Sequence, residues 1–443
     1  MTLATQQSPL AGFGNLGKIP ELRKRLLFTL GMLIVYRIGA HVPIPGIDPA
    51  ALAAFFAQQQ GTLLGMFNMF SGGALSRLTV FALGIMPYIS SSIILQLMTT
   101  VVPKLESLKK EGESGRRKIN QYTRYGTVLL SLFQGFGIAY GMESMQAGGM
   151  SVVIQPGWHF RLITVITLTA GTAFIMWVGE QITNRGIGNG ISLIIFAGIV
   201  ANLPVAMANT LQLTRTGDLQ PLFVLFLVIM SVLVTSFIIF MERAQRRISI
   251  QYAKRQVSSR RMVGGEQTHL PLKINTAGVI PPIFASAIIL FPVTIANFAP
   301  WDWLKSLSAS LSPGHLMHMV LYSAAIVFFC FFYTAIVFNP EETADNLRKY
   351  GGFIPGIRPG QRTAEYFDKI LTRLTLIGAV YVVAVCLLPE ILIANYNVPF
   401  YFGGTSMLIV VGVTMDTVAQ IQSFLISRQY EGLMKKAKIK GRR

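Results

Sequence analysis

Ten stretches of about twenty mostly apolar residues recur along this 443-residue chain, and they dominate what it can fold into. They fall near residues 22–42, 78–101, 121–141, 161–182, 187–208, 221–241, 272–298, 316–338, 371–393 and 400–426. As a helix, each is long enough to cross a hydrocarbon layer of roughly 30 Å. Composition agrees: 52% of residues are hydrophobic, 13% are charged, and the mean hydropathy is +0.53, too apolar for a soluble chain of this size. Lys18, Arg23, Lys24 and Arg25 precede the first stretch as they would in a signal peptide. The many spans that follow favour an uncleaved first helix. The expected class is therefore an all-α polytopic membrane protein. Cys330 and Cys386 lie inside apolar runs, so neither a disulfide framework nor a zinc site is expected.

The basic residues set the topology. The formal net charge is +19, and it is concentrated in a few connections. Lys104, Lys109, Lys110, Arg116, Arg117 and Lys118 lie between spans two and three. Arg243, Arg246, Arg247, Lys254, Arg255, Arg260 and Arg261 lie between six and seven. Arg348, Lys349, Arg358, Arg362 and Lys369 lie between eight and nine. The odd connections carry only scattered charges such as Arg215 and Lys305. Basic residues stay on the cytoplasmic side, so the even connections and both termini are expected to face the cytoplasm. Five spans then precede the connection at 211–220, and the two halves enter the membrane in opposite directions. That arrangement fits an inverted-repeat transport protein with a pathway between the halves, although no sequence self-similarity marks a repeat. The organisation expected is a first half over 1–210, a second half over 211–426 with large cytoplasmic loops at about 242–271 and 339–370, and a basic tail over 427–443.

The segment at about 61–76, GTLLGMFNMFSGGALS, is apolar but too short to cross the bilayer. It reads either as a movable re-entrant stopper or as an amphipathic helix on the membrane surface. Catalytic patterns are lacking: no phosphate-binding loop, no HExxH and no GxSxG is present. The glycines of Gly186–Gly190 join two membrane helices and read as a tight turn. His315 and His318 lack a third ligand and read as interfacial histidines. Asp416, Arg37 and Glu180 are the visible intramembrane ionisable groups, sparse for ion coupling, and Asp416 reads as a helix-packing residue with a polar partner. Ile85 and Ile89, like Ile191 and Ile195, are spaced to share one helical face.

Longer motifs carry more. VPIPGID (Val42–Asp48), FNMFSGGALS (Phe67–Ser76), EGESGRRKINQYTRYGT (Glu111–Thr127), GEQITNRGIGNGIS (Gly179–Ser192), THLPLKIN (Thr268–Asn275), FNPEETADNL (Phe338–Leu347), IPGIRPG (Ile354–Gly360) and PFYFGGTS (Pro399–Ser406) run in order along the chain. Together they resemble the bacterial SecY family, the channel-forming subunits of the Sec protein translocase. The resemblance implies ten transmembrane helices in two inverted five-helix halves around a central pore, with a short re-entrant plug helix. It assigns the plug to about 61–76, with Phe67, Asn68, Phe70, Ser71, Gly72 and Gly73. It assigns an aliphatic pore ring to Ile85, Ile89, Ile191, Ile195, Ile283 and Ile409. Such a ring excludes water and ions yet yields around an extended polypeptide.

The resemblance also implies a lateral gate, formed by spans two and three against seven and eight, with Ser90, Gln96 and Asn275 at polar gate positions. Pro87, Pro281, Pro282 and Pro292 read as kink sites in its walls. Docking of a SecA motor or a ribosome is implied at the basic loops, with Arg255, Arg260, Arg261 and Arg358 meeting acidic or phosphate groups. The further partners implied are SecE and SecG-type small membrane subunits, signal sequences and nascent polypeptides. The basic loops themselves also suit anionic lipids. No enzyme activity, metal or cofactor is expected, and the location is a bacterial cytoplasmic membrane. An ion-coupled small-solute carrier is the alternative, disfavoured by the scarcity of charged midplane groups.

Overall fold

The computed structural model describes residues 20–58, 68, 71–144, 146–147, 150–217, 220–252, 255–258, 261–263, 267–298, 310–311, 315–396 and 404–440. At 144, 146–147, 150, 255–258, 261–263, 267, 290–298, 392–396 and 428–440 the description is of the backbone alone. The elements in chain order are α1 (Pro20–Gly39), α2 (Pro49–Gln58), α3 (Met86–Val101), α4 (Pro103–Lys110), α5 (Glu113–Ser144), β1 (Gln146–Ala147), β2 (Met150–Ser151), α6 (Trp158–Arg185), α7 (Gly190–Thr216) and α8 (Pro221–Arg243). Then come β3 (Gln245–Tyr252), β4 (Arg255–Ser258), β5 (Arg261–Val263), β6 (Gln267–Lys273), α9 (Ile280–Phe298), α10 (Leu316–Val337), α11 (Pro340–Lys349), β7 (Gly352–Phe353), α12 (Gln361–Tyr396) and α13 (Gly404–Lys440).

Each apolar stretch lies on a helix, and six of the described helices, α6, α7, α8, α10, α12 and α13, are long and apolar enough to cross a membrane. The surface of α8 shows why lipid is its solvent. Leu222, Leu225, Phe226, Val228, Ile229, Val232, Leu233 and Phe240 are all exposed, a face no water-soluble helix would present.

The second stretch starts late. Residues 71–85 form turns, and the helix begins only at Met86. Pro87 sits in its first turn, where a missing N–H leaves no hydrogen bond broken, so it starts α3 and does not kink it. Pro281 and Pro282 likewise open α9, leaving Pro292 as the one of these four within a helix. These positions correct the expectation that all four interrupt gate helices.

The chain divides into two compact units: Met1–Pro204 with Thr294–Pro300 and Val413–Arg443, and Val205–Val293 with Trp301–Gly412. In the first, α5 packs along α6 and α3 along α5. Ser91 Oγ donates to the Thr123 carbonyl at 2.9 Å, fixing that second contact. An aromatic ladder runs Tyr36, Phe81, Phe174, Trp177, with successive ring centroids 6.0, 5.9 and 5.7 Å apart. A smaller cluster joins Leu22 of α1, Ile187 of the α6–α7 turn and Ile421 of α13.

In the second unit α10 packs on α12, and the two large basic loops fold together. Strand β3 pairs antiparallel with β6, from Gln245↔Lys273 to Gln251↔Gln267, and its far end pairs with β7 through Gln251↔Phe353 and Tyr252↔Gly352. Ile248 and Ile250 alternate inward from β3 and meet Leu272, Leu347, Ile354, Phe367 and Ile370, an apolar core beneath the sheet. α11 is capped by Asn339, whose Oδ1 accepts from Glu341 N and Glu342 N. Thus the predominantly helical fold carries a small sheet that the all-α reading did not contain.

Candidate functional site

The turn before α7 is held by side chains from three helices. Thr29 Oγ1 of α1 accepts from Ile187 N at 3.1 Å, Thr183 Oγ1 of α6 accepts from Gly190 N at 2.9 Å, and Gln420 Oε1 of α13 accepts from Gly188 N at 2.9 Å. Backbone donors that a helix start leaves unpaired are thereby satisfied. Gly190 permits close approach of α7 to α6: a Cβ there would lie 1.9 Å from the Gly179 carbonyl oxygen. This geometry sets where α7 carries Ile191, half-buried against Gly179, and Ile195, buried.

The other expected ring residues are all buried. Ile85 caps α3, its carbonyl accepting from Ile89 N at 3.1 Å. Ile283 lies in the first turn of α9, its carbonyl accepting from Ser286 Oγ at 2.9 Å, and Ile409 of α13 is fully enclosed. Ile85, Ile89, Ile191 and Ile195 belong to the first unit, Ile283 and Ile409 to the second.

Phe67 and Phe70 of the expected plug lie outside the described residues. Asn68 staples the segment that follows: its carbonyl accepts from Gly73 N at 2.8 Å, and its Oδ1 accepts from Ser76 N at 2.8 Å. Ser71 Oγ accepts from Leu75 N at 3.3 Å and donates to the Asn68 carbonyl at 3.0 Å. Ser71 and Gly72 in turn receive hydrogen bonds from Tyr36 and Arg37 of α1.

Of the expected gate residues, Ser90 is half-buried, and Gln96 Nε2 donates to Ser92 Oγ at 3.5 Å while its Oε1 is buried and unpartnered among the described residues. Asn275 works within its own unit. Its Nδ2 donates to Glu242 Oε1 at 2.6 Å and to the Gly278 carbonyl at 3.0 Å, and its Oδ1 accepts from Gly278 N at 3.1 Å. Among the docking residues, Arg358 is exposed, and its carbonyl accepts from Thr363 Oγ1 at 2.9 Å. Arg255 and Arg261 lie on β4 and β5, and Arg260 lies outside the described residues.

A SecY family model matches residues 79–418. The chain belongs to the SecY family. It is 59% identical over 429 residues to the protein translocase subunit SecY of Escherichia coli K12, covering 96% of each chain, and 57% identical over 430 residues to that of Vibrio cholerae, again covering 96% of each. Its fold matches a solved SecY whose plug domain stabilises the closed state of the translocation channel and maintains a membrane seal. The TM-score is 0.65 at 16% identity, over 93% of this chain and 96% of that one. Sec61 in the canine ribosome–channel complex from the endoplasmic reticulum matches with a TM-score of 0.62 at 15% identity, with the same coverage.

Several SecY-chain residues escaped the sequence reading. His318 is buried and not interfacial, with Nε2 3.4 Å from Oε1 of Glu390, itself buried on α12. The two lie 72 positions apart (390 − 318), and no local spacing links them. Arg124 grips Glu180 with two contacts of 2.8 Å, tying α5 to α6. Beyond the expected span, Glu143 accepts from Arg161 Nε at 2.9 Å and from Gly157 N at 2.9 Å. The Arg161 hydrogen bond holds the Glu143 carboxyl below its ordinary range. Asp416, expected to pair with a polar neighbour, is instead exposed and has no hydrogen-bond or ion-pair partner among the described residues. Among the described residues no group of three or more His, Cys, Asp or Glu side chains is placed to hold a metal.

Proposed function

We propose that this chain is the central subunit of a protein-conducting channel in a bacterial cytoplasmic membrane, passing unfolded secretory polypeptides across it and releasing membrane segments sideways into lipid. The observation that carries this reading is identity of 59% to a translocase subunit along 96% of both chains. Ile85, Ile89, Ile191, Ile195, Ile283 and Ile409 form the aliphatic constriction, the segment at about 61–76 is its plug, and two inverted halves, 1–210 and 211–426, flank the pore. Ser90, Gln96 and Asn275 stand at the lateral gate, where an apolar signal sequence competes for the seam. Both termini and the loops rich in Arg and Lys face the cytoplasm.

The channel is passive, and energy comes from a docked SecA motor or a ribosome. Ribosome-bound relatives of the same fold support the second of these. Arg255, Arg260, Arg261 and Arg358 supply the docking charges, SecE and SecG-type subunits complete the assembly, and anionic lipids neutralise the remaining basic surface. A stalled secretory chain is expected to crosslink to cysteines placed at Ile89 and at Ile283 in the assembled complex. Absence of crosslinks at both positions, with the complex active in export, would overturn the pathway.

A further inference from the structure

Arg37 is an arginine inside an apolar helix, without an ion-pair partner among the described residues, and none of the roles above uses it. A cation in the last turn of α1 favours the helix dipole, but that does not account for where its head lies. Arg37 Nη1 donates to the Gly72 carbonyl at 3.2 Å, 35 positions along the chain. Its neighbour Tyr36 does the same one residue earlier: the buried phenol donates to the Ser71 carbonyl at 3.3 Å. The Tyr36 ring is stacked on Phe81, and Arg37's own carbonyl lies 2.8 Å from His41 Nδ1, so both residues are seated before they reach across.

The gripped peptide is itself closely fitted. Gly72 has φ +69°, and a Cβ there would lie 3.0 Å from Gly198 Cα on α7 and 3.0 Å from Arg37 Nη1. An L side chain is excluded both by conformation and by space. Carbonyls 71 and 72 follow Asn68 and Ser71, whose side chains knot residues 68–76 into one turn. A pull on one of these bonds therefore acts on the turn as a unit.

We propose that Tyr36 and Arg37 are positioning residues that latch the 71–72 peptide and so hold the plug in its sealing position. This rests on the plug reading of 61–76. The test is ion conductance of the full complex in planar bilayers, without polypeptide substrate. Tyr36→Phe and Arg37→Met are each expected to raise the idle open population about tenfold, the change carried by losing one buried or charge-assisted hydrogen bond. Thermal midpoints should stay close to the parent's, because Tyr36→Phe keeps the stacked ring.

A complex lacking residues 61–67 supplies the control. It is expected to leak by itself, and Arg37→Met is expected to add nothing further in that background. If the deletion leaks while neither substitution does, the latch is wrong and the plug reading stands. If Arg37→Met adds its full increment to the deletion, Arg37 acts elsewhere and the latch is again wrong. If the deletion does not leak, the plug reading fails and the latch falls with it.

Discussion

Asn275 makes three hydrogen bonds from one amide, and they explain what a polar residue does at the entrance to α9. The side chain closes the turn onto Gly278 and ties it to Glu242 at the end of α8. Asn275→Ala leaves the Gly278 N–H and C=O short of partners in a buried setting, and unfolding in detergent should show a loss of about 3 kcal/mol. A change below about 0.5 kcal/mol would mean that water replaces the amide without cost. Glu143 offers a test with a sign. Its folded pKa lies below that of an unfolded carboxylate because Arg161 hydrogen-bonds the ionised form. Its stabilisation is therefore present above the unfolded value and lost as pH falls through the folded one. The thermal midpoint should hold steady from neutral pH to about pH 5, then drop, and Glu143→Gln should flatten that acid limb. Parallel acid limbs in the two proteins would remove the ion pair from the account. At this scale the sequence showed Arg37 and Glu180 as charges in apolar runs but not their partners. Arg124 and Gly72 lie 56 and 35 positions away, distances that only the folded chain closes.

The helices were legible because lipid demands long apolar runs, and a run of that length can satisfy its backbone only as a helix. The sheet of β3, β6 and β7 was not. Its pairs join Gln245 to Lys273 and Tyr252 to Gly352, across two loops read as charged connections. The clue was the alternation of Ile248 and Ile250 within Arg247–Tyr252, too short to stand out beside the basic residues. Helix starts were misjudged for a related reason: Pro87, Pro281 and Pro282 looked like interruptions because the apolar run extends upstream of where the backbone can turn helical. The element-level consequence is that the loops form a packed body with its own core. Phe367, fully enclosed among Ile248, Leu347 and Leu371, anchors it from α12. Phe367→Ala should cost about 3–5 kcal/mol and open residues 242–273 and 339–360 to limited proteolysis, while α1 to α6 stay resistant. Cleavage unchanged from the parent would show that the loops do not depend on that core.

At the scale of the whole molecule, this packed body makes the basic loops a shaped surface, and Arg358 tests whether docking uses it. The residue is exposed, and its backbone is held by Thr363 through the carbonyl, so its side chain can change without disturbing the turn. An exposed charge contributes little to stability. At an interface the same charge steers and orients an oppositely charged partner, and reversing it substitutes repulsion for attraction. Arg358→Glu should therefore lower motor-driven export about tenfold or more, with a loss that deepens at low salt, where charges are screened least. Thermal unfolding and insertion of membrane proteins delivered by ribosomes should match the parent. The comparison separates two roles for one set of charges. If the basic loops serve only to orient the chain in the membrane, a single reversal among five such residues in this loop, Arg348, Lys349, Arg358, Arg362 and Lys369, leaves the orientation bias largely intact and export normal. If they also form the surface on which the motor works, export falls while topology, read by the accessibility of a cysteine in the tail, does not change.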